Sequence, residues 1–150
     1  MKRFQFRLQR VLDLRRQQAE KEQALLRELL AALERLENEI RSLAVQRDDA
    51  RAHVRHAPSS AGEDYIALSH FEAHLQRRTA TLVGRRQQLE RQIAEQRVHL
   101  REAERKLKLL EKLEARRRTE WTVERDKEIE SVSADAHLAR LTSQRRHSAA

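Results

Sequence analysis

From Leu8 to Val54 the chain sets an apolar or small residue at alternating steps of four and three: Leu8, Leu12, Ala19, Leu26, Leu29, Leu33, Leu36, Ile40, Leu43, Ala50 and Val54. Arg15, Glu22 and Arg47 interrupt the row. A mean step of 3.5 residues holds a stripe on one side of a slightly underwound helix, which must bury that stripe against another helix. A second row follows the single proline: Leu68, Leu75, Leu82, Leu89, Ile93, Leu100, Ala103, Leu107 and Leu110. Two matching seams in one chain predict an all-α fold, a long antiparallel two-helix coiled coil in which the second helix is the longer.

The boundaries follow from local chemistry. Helix 1 is expected over about 4–56 and a loop over about 57–61, where Pro58 cannot occupy a helix interior and moves Ala57 out of the α region. Ser60 with Glu63 reads as a capping box, and Glu63 and Asp64 place negative charge at a helix N-terminus. Helix 2 is expected over about 62–141 and a frayed polar tail over about 142–150, the whole of 1–150 forming one hairpin. Folding at the loop sets residues whose numbers sum to about 121 opposite each other and makes a paired rod of about 75 Å. Residues beyond about 118 then find no intrachain partner.

Composition narrows the functional classes. Charged residues make up 37% of the chain and aromatics 3%, with two Gly, one Pro and no Cys, a long-helix profile. Lack of Cys excludes disulfides and thiolate metal sites. The two glycines are isolated, so no phosphate loop exists, and a two-helix rod offers no cleft for a nucleophilic triad. His70 and His74 lie at i, i+4, but Glu72 between them is misplaced for a zinc motif and no third ligand is evident. No cofactor is expected. No membrane span or secretory leader is evident, which points to the cytoplasm.

The net charge of +8 is uneven. Residues 1–20 and 101–118 each sum to +4, and the hairpin brings them together, so one end carries the excess and suits an acidic partner. Arg3, Arg7, Arg10, Arg116, Arg117 and Arg118 are the candidates for that face. Nucleic-acid binding and a peripheral membrane helix using Phe4, Phe6, Leu8 and Leu12 are the alternatives. Acidic residues interleaved throughout argue against the former.

The string Phe4-x-Phe6-x-Leu8-x-x-Val11-Leu12-x-x-Arg15 resembles the start of the FliJ family of flagellar type III export stalk proteins. The resemblance continues through Tyr65 and Phe71-Glu72-Ala73-His74-Leu75, then the basic run Lys106 to Arg118, then Trp121. It departs at Glu130-Ser131-Val132-Ser133, where the family has an acidic pair followed by apolar residues. The resemblance implies a non-enzymatic component of flagellar protein export, and so of motility and chemotaxis. It implies a central stalk that docks in the hexameric export ATPase, contacts the cytoplasmic domain of the export gate and escorts export chaperones. It implies a cytoplasmic location, peripherally associated with the inner membrane at the flagellar base. The basic end is then assigned to the ATPase. Phe71 and Leu75 are assigned to the gate, Phe71 lying off the seam as an exposed anchor or else packing under the loop.

Overall fold

The computed structural model describes residues 3–59 and 61–148, of which 146–148 by backbone alone. The fold is all-α: helix α1 spans Gln9–His56, helix α2 spans Gly62–Ser148, and no strand occurs among the described residues. Contacts divide the chain into two units, Gln18–Ala103 and Met1–Gln17 with Glu104–Ala150.

Within the 18–103 unit the two helices pack antiparallel, and the four-three ladder is the packing surface. On α1, Ala19, Glu22, Leu26, Leu29, Leu33, Leu36, Ile40, Leu43, Ala50 and Val54 are buried or half-buried, while Arg47 stays exposed and pairs with Asp48 at 3.1 Å. On α2 the inward row runs unbroken through Leu68, Glu72, Leu75, Thr79, Leu82, Arg86, Leu89, Ile93, Gln96, Leu100 and Ala103. Leu43, Leu75 and Leu82 form its core, with Leu36 and Ile40 packed against them.

The gaps in the second apolar row are therefore polar rungs of the same ladder, and most are satisfied within the helix pair. Gln96 donates its side-chain amide to the backbone carbonyl of Glu22 at 3.0 Å and also to the Glu22 carboxylate. Thr79 returns its hydroxyl to the carbonyl of Leu75 at 2.8 Å. Glu72 accepts from Arg51, whose guanidinium is held above its ordinary pKa first by that hydrogen bond and then by the carboxylate charge. Arg86 is the exception: its buried Nε lacks a hydrogen-bond partner and lies 3.7 Å from Glu90. The cross-helix pairs 51 with 72, 39 with 78 and 22 with 96 give number sums between 117 and 123, which sets the antiparallel register.

The start of α1 differs from the sequence expectation, while α2 begins at Gly62. Residues 3–6 are not helical and α1 begins at Gln9, whose N–H donates to the carbonyl of Phe6 at 3.1 Å. No acidic residue lies in its first turn, and Arg7 and Arg10 place positive charge where the helix dipole disfavours it. At α2, Ser60 of the expected capping box lies outside the described residues. The contact among the described residues is from Ala61, whose N–H donates to Asp64 Oδ2 at 2.9 Å while Asp64 N–H bonds back to the Ala61 carbonyl. α2 runs on to Ser148, with the Thr142 hydroxyl bonding the Ala139 carbonyl at 2.9 Å; residues 149 and 150 of the expected frayed tail lie outside the described residues.

Gly84 lies inside α2, exposed, and a Cβ added there meets nothing within 4 Å. Its only effect is the backbone entropy a helical glycine costs. Gly84→Ala is expected to stabilise the 18–103 unit by about 0.5–1 kcal/mol, seen as a higher urea midpoint at unchanged slope. An unchanged or lowered midpoint contradicts this.

Candidate functional site

The division into units also divides the charge. The unit formed by Met1–Gln17 and Glu104–Ala150 holds 18 Lys and Arg against 10 Asp and Glu, whereas Gln18–Ala103 holds 14 of each. All of the +8 therefore belongs to the first unit, and the second is neutral.

In the charged unit, residues 3–17 pack against α2. Leu12 is fully buried, and Arg16 lies 3.8 Å from Glu111 across the pair. The non-helical segment brings Phe4 onto Trp121, ring centroids 5.9 Å apart and tilted by 58°. Arg118 sits over the Phe4 ring at 5.2 Å and Arg125 over the Trp121 ring at 5.3 Å. Such tilted ring pairs and cation–ring stacks each contribute about 0.5–1.5 kcal/mol. Trp121, Thr122 and Arg125 are half-buried, so pairing runs past the expected limit near 118, because Phe4 covers this turn. From Asp126 to Arg145 every residue is exposed.

A groove of about 670 Å³ opens beside this cluster. Phe6, Leu8, Leu113 and Trp121 give it apolar walls; Arg3, Arg7 and Arg117 stand on its rim with Glu120 and Glu124. Of the family motif, Phe4, Phe6 and Arg15 are half-buried, Val11 is 40% exposed and Leu8 38%.

The six candidate arginines thus share one unit but divide in role. Arg117 is paired with Glu120 at 3.1 Å, and Arg118 with Glu114 at 2.9 Å besides covering Phe4. Among the described residues Arg3, Arg7, Arg10 and Arg116 have no ion-pair partner and are exposed. Sequence reading missed the Phe4–Trp121 cluster. A signal was present: the register of about 121 sets Phe4 opposite residue 117, one helical turn from Trp121.

The two residues assigned to the gate differ from each other. Leu75 is 4% exposed and belongs to the core with Leu43 and Leu82, so the structure removes it as a contact residue; it sits on an inward rung of the ladder. Phe71 is 38% exposed. Among the described residues no three His, Cys, Asp or Glu side chains converge as metal ligands, and no helix is long and apolar enough to cross a membrane.

These features define an all-α protein of two antiparallel-packed helices, with its excess charge in one unit. Its family is shown by a match over nearly the whole chain: the model for the flagellar FliJ protein covers residues 4–147, and the chain belongs to the FliJ family. It is accordingly a component of the flagellar export apparatus. No curated protein and no solved structure matches it.

Proposed function

We propose that the chain is a non-enzymatic stalk of the export apparatus. The unit of residues 1–17 and 104–150 docks in the hexameric export ATPase, and Phe71 on the other unit contacts the cytoplasmic domain of the export gate. Escort of export chaperones belongs to the same reading, as does a cytoplasmic position at the inner membrane held through these partners. The observation that supports it most is the charge division: the whole +8 in one unit, with four exposed arginines that have no partner among the described residues. Concentrated charge of one sign raises the encounter rate with an acidic surface and weakens as salt screens it.

The test titrates the chain into purified export ATPase and reads hydrolysis. Stimulation is expected, with a half-maximal concentration that rises about tenfold between 0.05 and 0.5 M salt as the Debye length falls. No stimulation, or stimulation indifferent to salt, overturns the assignment. Retention of RNA by the purified chain in place of the ATPase favours a nucleic-acid role instead.

A further inference from the structure

We infer that residues 3–8 are a strap, and that its closure by Phe4 on Trp121 assembles the basic docking face; the second half of this rests on the proposed function.

Apart from its last residue, Leu8, the strap lies outside the helical ladder. Residues 3–6 are not helical, and the strap is tied to α1 by the bonds from Gln9 N–H to the Phe6 carbonyl and from Leu12 N–H to the Leu8 carbonyl. Phe4 and Phe6 are half-buried, so the segment lies down by its aromatic side chains. Phe4 meets the Trp121 ring on one side and the Arg118 guanidinium on another. A segment held by a few side-chain contacts opens at far lower cost than a helix packed along its length.

Closure has an electrostatic result. Arg3 and Arg7 flank Phe4 in sequence and stand on the rim of the groove that Arg117 also lines. With the strap closed Arg3 and Arg7 add their unpaired charge to a groove where Arg117 is paired with Glu120 and Glu124 stands beside them; with it open, that charge leaves the groove. Phe4, Trp121 and Arg118 are thus positioning residues. Arg118 acts by covering Phe4 and pairing with Glu114, not by meeting the partner.

Trp121 is the only tryptophan of the chain and reports the strap directly. Phe4→Ala leaves every charge in place. It is expected to raise acrylamide quenching of Trp121 by roughly twofold with far-ultraviolet circular dichroism unchanged, and to weaken ATPase binding by about tenfold at low salt. Phe4→Tyr, which keeps the ring, is expected to restore both. Quenching unchanged in Phe4→Ala overturns the strap, whatever the partner does. Raised quenching with unaltered ATPase affinity overturns its part in assembling the face. Failure of the unsubstituted chain to bind the ATPase instead overturns the proposed function, and the quenching still decides the strap.

Discussion

Leu75→Ala is expected to lower the stability of the 18–103 unit by about 2–4 kcal/mol, through the lost transfer energy of a buried leucine and the cavity left behind. Leu75 is 4% exposed and closes the core with Leu43 and Leu82, with Leu36 and Ile40 behind. A groove lined by Ile40, Leu43 and Leu75 borders the site, so water reaches the vacated space and the cost falls short of the largest leucine truncations. Phe71, 38% exposed, is a different case. Phe71→Ala is expected to cost less than about 1 kcal/mol, since little area returns to water. Urea unfolding followed by circular dichroism separates the two: the midpoint drops strongly for Leu75→Ala and slightly for Phe71→Ala. Gate binding by the Phe71 variant then measures contact, whereas a defect in the Leu75 variant measures unfolding. A Leu75→Ala chain that melts like the unsubstituted one and yet loses the gate returns Leu75 to the contact surface.

The contrast shows what apolar spacing can reveal. The spacing that made Leu75 recognisable as a seam residue also placed it inside, and only family resemblance argued for exposure. Apolar rungs such as Leu36, Leu43 and Leu82 were legible because burial of a hydrophobe repeats with the helix period. Polar rungs were not: Glu72, Thr79, Arg86 and Gln96 look in sequence like solvent-facing residues, and Gln96 is explained only by Glu22, 74 residues away. The start of α1 escaped for a related reason. Helical periodicity extends smoothly through Phe4, but residues 3–6 are not helical and Phe4 lies against the ring of Trp121, far off in sequence.

Reversing the four arginines without partners among the described residues, as Arg3→Glu, Arg7→Glu, Arg10→Glu and Arg116→Glu together, is expected to weaken ATPase docking by at least roughly thirtyfold. Each reversal changes the charge by −2, so the set takes the chain from +8 to 0 and removes the excess from the unit that holds all of it. Exposed charge contacts are worth about 0.2–1 kcal/mol each. Reversal replaces attraction by repulsion, so four sites together give about 2–8 kcal/mol, a loss of affinity from roughly thirtyfold to beyond a hundred-thousandfold. Arg117→Glu and Arg118→Glu provide the internal contrast. Arg117 already meets Glu120, and Arg118 meets Glu114 and covers Phe4, so their charge is partly spent inside the unit. Arg116→Glu alone is therefore expected to weaken docking more than Arg117→Glu does, and the gap should persist at 0.5 M salt, where the long-range field common to both is screened. Arg118→Glu should add increased Trp121 quenching, because a carboxylate cannot hold the Phe4 ring as the guanidinium does. Calorimetric titration of the ATPase with each variant measures the differences. Equal losses for Arg116 and Arg117 would leave the unit's total charge, rather than its unpaired arginines, as the property the partner reads; full affinity in the fourfold variant would remove electrostatic docking altogether.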